Sequence, residues 1–237
     1  MKTNNPIFKK SVRAVLTDTA GIMTIQGALN KTGILTLILI VTAVIAWNNT
    51  LVKIVPSFLI PCALFGFGLG VYIIFNPKHS PLCAPIYAAL EGAVLGSISA
   101  IYEMQSSGII LKAVMITLSI LLTMLIIYRL KIIKVTDQFY RGIVAATGGV
   151  CLIYIADILL NFFGVNIPYL HEGGWPGILI SLVIIGIASM NLILDFHNIE
   201  LMAEKRVSKY MEWYGAFGII VTLIWLYLEV LRLLNKK

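Results

Sequence analysis

Residues 175–196 read WPGILISLVIIGIASMNLILDF, a run of 22 residues in which Asp195 is the one ionisable side chain. A helix of about 20 predominantly apolar residues is long enough to cross the hydrocarbon core of a bilayer. The stretch therefore predicts a membrane-spanning helix with an acid close to its C-terminal end.

The composition of the whole chain leads to the same class of protein. Of the 237 residues, 59% are hydrophobic and 12% are charged, whereas about 25% of the residues in a soluble domain are charged. A mean hydropathy of +0.93 leaves too little polar surface for a water-soluble globule. The composition therefore excludes a soluble or disordered chain and a nucleic-acid-binding protein, and makes the lipid bilayer the expected partner.

Six further apolar stretches resemble the one at 175–196 in length. We predict an all-α integral membrane protein with a cytoplasmic N-terminal tail at 1–32 and a single seven-helix transmembrane domain at 33–237. The seven predicted spans cover residues 33–52, 54–75, 84–104, 109–130, 142–164, 175–196 and 214–234.

The distribution of basic residues predicts the orientation of these spans. If the N-terminal tail is cytoplasmic, thirteen Lys and Arg residues fall in the tail and in the loops on its side. The opposite side receives Lys53, Lys112 and the C-terminal Arg232, Lys236 and Lys237. Because cytoplasmic loops carry an excess of Lys and Arg, we expect a cytoplasmic N-terminus and a C-terminus outside.

Six acids lie in or at the predicted spans, and an ionisable group there is costly enough to be a candidate functional residue. With the predicted orientation, Glu91, Asp195 and Glu212 share a depth band near the cytoplasmic side. The other three lie in the outer half: Glu103, Asp157 and Glu229.

The first three acids could form a proton-responsive cation site. Carboxylates that approach closely in a low-dielectric site share a proton. When deprotonated, their oxygens are hard ligands that suit Ca²⁺, and Asp195 and Glu212 are the predicted ligands. The alternative is that these two acids, near helix ends, are only hydrated or interact with a helix dipole.

The outer acids have simpler alternatives. Asp157 could bond a neighbouring helix through Tyr154, Ser181 or Asn191, and Glu229 has Arg232 one turn further on as a candidate partner. No histidine lies within a predicted span, so an in-span serine has no base to activate it. We therefore do not expect an enzyme or a bound cofactor.

Three acid-containing motifs are YAALEGAVLGSISAIYE at 87–103, LILDFHNIE at 192–200 and KYMEWYGAFGIIVTLIWLYLEVLRLL at 209–234. They resemble the Bax inhibitor-1/YccA (TMBIM) family, particularly its bacterial branch. The segment MTIQGALNKTGILTLILIVTAVIAW at 23–47 is similar to the same branch, so the resemblance covers nearly the whole chain.

The resemblance implies a specific fold and activity. The fold would have six helices surrounding a central C-terminal helix, and the activity would be a pH-sensitive Ca²⁺ leak controlled by paired acids on the last two helices. Asp195 matches the first acid. Either Glu212 or Glu229 takes the place of the second, and we choose Glu212 because Glu229 would stand near the outer face.

The same resemblance adds further expectations. Lys78 and His79 are candidates for a basic latch on the acid pair, Glu91 would line the ion path, and the location would be a bacterial inner membrane. The rival function is a non-conducting regulatory protein that binds another membrane complex, such as a protease or the insertion machinery.

Overall fold

The computed structural model describes residues 21–48, 55–164 and 174–236. Within these ranges the chain is all-helical, which confirms the predicted fold class. The described ranges contain seven α-helices: α1 (Ile25–Asn48), α2 (Val55–Phe75), α3 (Ser80–Gln105), α4 (Ile109–Arg129), α5 (Asp137–Phe162), α6 (Trp175–Glu204) and α7 (Met211–Asn235). A short 3-10 helix, Pro77–His79, joins α2 to α3.

Six of these helices are long and apolar enough to cross a membrane. The exception is α2, whose apolar part is Leu59–Phe75. That stretch has about 17 residues, at the lower end of the range for a spanning helix. The structure therefore supports six of the seven predicted spans by length and composition.

The first helix begins at Ile25, eight residues before the predicted start of the first span. The cause is a helix cap, because the Thr24 side-chain oxygen accepts a hydrogen bond of 2.9 Å from the backbone N–H of Gly27. The predicted tail at 1–32 thus overlaps α1, and its first 20 residues lie outside the described part of the chain.

Helix α7 packs directly against α1, α3, α4 and α6. It contributes to both buried apolar clusters, one shared with α1, α4 and α6 and the other with α1, α2 and α3. In the most apolar 18-residue stretch of each helix, 50% of the residues are buried in α3, α6 and α7, compared with 11% in α1 and α5. The interior is therefore built mainly from α3, α6 and α7, with α2 packed on α3 and α5 packed on α6.

Two glycines allow α1 and α3 to approach closely. A Cβ at Gly92 would overlap the backbone carbonyl of Leu39, and a Cβ at Gly96 would lie 2.8 Å from the Ala43 Cα. Gly92 and Gly96, four residues apart in α3, thus allow the close helix contact that small residues permit in membranes.

The segment before α1 forms backbone hydrogen bonds with the loop between α6 and α7. Met23 donates its backbone N–H to the Val207 carbonyl over 2.9 Å, and Lys209 donates to the Gly21 carbonyl over 3.0 Å. This pairing places the start of α1 beside the start of α7.

Candidate acid sites at the helix contacts

Asp195 lies at the contact between α6 and α7. Its Oδ2 accepts a hydrogen bond of 2.6 Å from the Thr222 hydroxyl. Its Oδ1 faces Gly218, where a Cβ would stand 3.5 Å away. Asp195, the first acid of the predicted pair, is therefore half-buried against α7. It contacts Gly218 and Thr222, which lie one turn apart on that helix.

Glu212 opens α7 and lies against the start of α1. Its Oε1 accepts hydrogen bonds of 3.1 Å from both the backbone N–H and the hydroxyl of Thr24. The carboxylate fills the space beside Gly27, because a Cβ at that position would overlap it. With 2% of its surface exposed, Glu212 is a buried connection between two helices and is not a hydrated helix end.

The structure gives Asp195 and Glu212 different partners. The α7 positions that face Asp195 are six and ten residues beyond Glu212, which is about 9 and 15 Å along a helix axis at 1.5 Å per residue. No hydrogen bond joins the two carboxylates in the described part of the chain. The direct acid pair that the resemblance implies is thus replaced here by two separate contacts.

Glu91 faces a third helix contact. A Cβ at Gly66 of α2 would lie 2.8 Å from its Oε1, so the carboxylate is directed toward α2. Four residues earlier, Tyr87 packs edge-on against Phe217 of α7, with ring centroids 5.0 Å apart. The three acids of the predicted depth band therefore occupy the contacts of α3 with α2, α6 with α7, and α7 with α1.

The candidate latch residues lie in the 3-10 helix between α2 and α3. The His79 Nδ1 is hydrogen-bonded to the Tyr72 hydroxyl at 2.6 Å, and the two rings stack with centroids 5.6 Å apart. Lys78 is exposed. Ser80, which follows His79 and begins α3, donates to the Tyr210 carbonyl over 3.0 Å, so the end of this turn contacts the start of α7.

Glu229 belongs to a separate polar cluster near the C-terminal end of α7. It forms an ion pair of 3.2 Å with Arg232, which is the partner expected from the sequence, and it accepts a hydrogen bond from Tyr154 of α5. Arg232 also donates to the Tyr154 hydroxyl over 2.5 Å. Glu229 is 2% exposed, so this acid is buried and tied to α5.

Lys236, the residue after α7, is buried near the start of α6. Its Nζ donates to the Gly177 carbonyl and to the Ser181 hydroxyl, both over 3.0 Å. Burial lowers the pKa of its ammonium group, and the charge of Arg232 lowers it further. Asp157 is also buried, in α5.

Glu103 has a role as a helix cap. Its carboxylate accepts from the backbone N–H groups of Gly108 and Ile110, over 2.5 and 3.3 Å. These are orphan donors at the start of α4, so Glu103 stabilises the turn between α3 and α4.

Sequence reasoning missed the hydroxyl groups that hold the two acids. Thr222 interrupts an otherwise apolar stretch of α7, and this is the signal that could have identified it. Thr24 lies in a segment assigned to the tail, and nothing local to it indicates a partner 188 positions away.

These features define an integral membrane protein of apolar helices, with ionisable side chains held at the contacts between helices. The family model described as Bax inhibitor 1 like matches residues 5–237. The chain therefore belongs to the Bax inhibitor 1 like family. A comparison with curated proteins returned no match.

Proposed function

We propose that this protein is a passive leak for Ca²⁺ or another cation, and that its flux depends on protonation of Asp195 at the contact of α6 with α7. The observation that carries the proposal is the hydrogen bond of 2.6 Å from Thr222 to the Asp195 carboxylate. An acid within a span is a functional candidate by default, and this one bonds across two helices.

The physical basis is the charge of the acceptor. A hydrogen bond to an ionised carboxylate is about twice as strong as a neutral one. Protonation of Asp195 weakens the Thr222 contact and also removes a negative charge that attracts cations. The contact is therefore an element with two states, which a gating mechanism requires.

Glu212 has a supporting role in this proposal. Its contacts with Thr24 and Gly27 fix the beginning of α7 against α1, so that movement at the Asp195 contact occurs relative to an anchored helix end. Glu91 is the further candidate for the ion path, at the contact of α3 with α2. The protein has no catalytic activity or cofactor in this proposal, and it lies in a bacterial inner membrane.

Ca²⁺ flux into liposomes tests the function. The purified protein is reconstituted into vesicles that contain a Ca²⁺-sensitive dye, and entry is measured between about pH 6 and pH 8, where a carboxyl group with a shifted pKa titrates. We expect flux above that of protein-free vesicles, with a rate that changes across this range. Absence of flux at every pH from folded protein would instead support a regulatory protein that binds a membrane protease or the insertion machinery.

A further inference from the structure

A cavity of about 500 Å³ lies between α1, α3, α4 and α7, within the size range of small-molecule sites. None of the acids described above is among its lining residues. Its floor is buried and is formed by Leu95, Gly96 and Ser99 of α3 and by Ile220 and Ile224 of α7.

The rim of the cavity is exposed and belongs to α1 and α4. Val44 of α1 is 53% exposed, and Val114 and Leu118 of α4 are 39% and 49% exposed. Because these helices face lipid and the floor is covered, the cavity opens sideways into the bilayer between α1 and α4.

The hydroxyl groups in the cavity wall are all engaged within the protein. Thr36 and Thr117 each donate to the carbonyl four residues earlier, both over 2.8 Å. The Ser99 and Tyr227 hydroxyls bond each other at 2.7 Å. The wall thus offers hydrocarbon to an occupant, which suits an apolar chain and gives a hydrated ion no replacement for its water ligands.

The depth of the cavity matches one leaflet of a membrane. Its α1 wall runs from Thr36 to Trp47, which is about 16 Å at 1.5 Å per residue. This is close to half of a hydrocarbon core of about 30 Å. Trp47 ends the span, where tryptophan is enriched at the level of lipid headgroups.

We propose that this cavity binds one acyl chain of a membrane phospholipid, which enters between α1 and α4 with its headgroup beside Trp47. An acyl chain in this cavity makes dispersion contacts with the apolar lining. The occupant would pack against the Ile220, Leu223 and Ile224 face of α7. This inference does not depend on ion conduction.

Native mass spectrometry of the protein in mild detergent, titrated with dioleoylphosphatidylglycerol, tests the proposal. Val114→Trp fills the cavity, and Ile116→Trp is the matched control, because both residues are β-branched and 39% exposed, while Ile116 is not part of the lining. We expect the wild type and Ile116→Trp to retain one phospholipid and Val114→Trp to lose it.

A second pair keeps the test decisive if Val114→Trp does not fold. Val44→Trp fills the cavity from α1, and Ile45→Trp is its control, with exposed fractions of 53% and 54%. Equal phospholipid retention by a folded cavity variant and its control would overturn the proposal. In a parallel titration with oleate, retention of the free fatty acid by a protein that does not retain the phospholipid would overturn the assignment to a phospholipid chain.

Discussion

At the residue scale, Asp195 and Glu212 are each matched by one threonine and one glycine across their helix contact. Asp195 contacts Thr222 and Gly218. Glu212 contacts Thr24 and Gly27. The hydroxyl donates a hydrogen bond and the glycine leaves space for the carboxylate. The donor is needed, because an acid without one in a low-dielectric interior is strongly destabilising. A Cβ at Gly27 would overlap the Glu212 carboxylate, whereas a Cβ at Gly218 would make an ordinary contact with Asp195.

Gly27→Ala tests the contact of Glu212 with Thr24 and Gly27. The new Cβ overlaps the carboxylate, which must leave Thr24, and loss of these hydrogen bonds to a buried charge costs about 1 to 3 kcal/mol. We expect a lower thermal unfolding temperature in detergent. Gly33→Ala on the same helix is the control, since no atom lies within 4 Å of its Cβ position. Equal stability of the two variants would contradict the contact of Glu212 with Gly27.

Thr222→Val tests the contact of Asp195. Valine keeps the shape of threonine but has no donor, so the carboxylate loses its hydrogen bond at a cost of about 1 to 3 kcal/mol. Thr222→Ser retains the hydroxyl and should remain close to the wild type. Denaturant unfolding of both variants measures the difference, and a wild-type free energy of unfolding for Thr222→Val would contradict the assigned contact.

The sequence was sufficient to identify the acids and insufficient to pair them. Asp195 and Glu212 are conspicuous because charged residues are rare in apolar helices. Their partners depend on the rotation and register of whole helices, and Thr24 reaches Glu212 only because residues 21–24 pair with the loop before α7. Hydropathy carries no information about that rotation.

At the element scale, the apolar runs located the helices but not all of their ends. The predicted span at 109–130 matches α4 (Ile109–Arg129), whereas α6 continues eight residues beyond the predicted end at 196, to Glu204. Hydropathy reports the part of a helix that contacts lipid, while hydrogen bonds and caps determine where the helix ends. Helices can therefore extend beyond their apolar segments.

Gly96→Ala tests the close contact of α1 with α3. The added Cβ would meet the Ala43 backbone, which has no rotamer to adopt, so the helices must separate. Overpacking of this kind costs about 1 to 3 kcal/mol. Gly186→Ala in α6, where no atom lies within 4 Å, is the control, and thermal unfolding in detergent should separate the two variants.

At the scale of the whole molecule, two groups of polar contacts lie at different positions along α7. The Glu212 and Asp195 contacts lie in its first half, and the Glu229, Arg232 and Tyr154 cluster lies near its C-terminal end. The apolar cavity lies toward α1 and α4, whereas the Asp195 contact faces α6. We expect changes at the cavity to alter lipid retention without removing the acid contacts.

The orientation in the membrane is a second property of the whole molecule. We expect the exposed turn at Ser107 and the exposed loop at Lys134 to lie on opposite sides, because α4 connects them, with Lys134 cytoplasmic. In a variant without native cysteines, a membrane-impermeant maleimide added to intact cells should label Ser107→Cys and leave Lys134→Cys unlabelled. Both should react after permeabilisation, and the reverse pattern in intact cells would invert the orientation.

The most direct test of the proposed gate is the pH dependence of Ca²⁺ flux through Asp195→Asn in liposomes. Glu103→Gln is the control, because Glu103 caps α4 through backbone N–H groups and glutamine retains an acceptor. We predict a flat profile between about pH 6 and pH 8 for Asp195→Asn and a wild-type profile for Glu103→Gln. A wild-type pH dependence in folded Asp195→Asn would contradict the central claim.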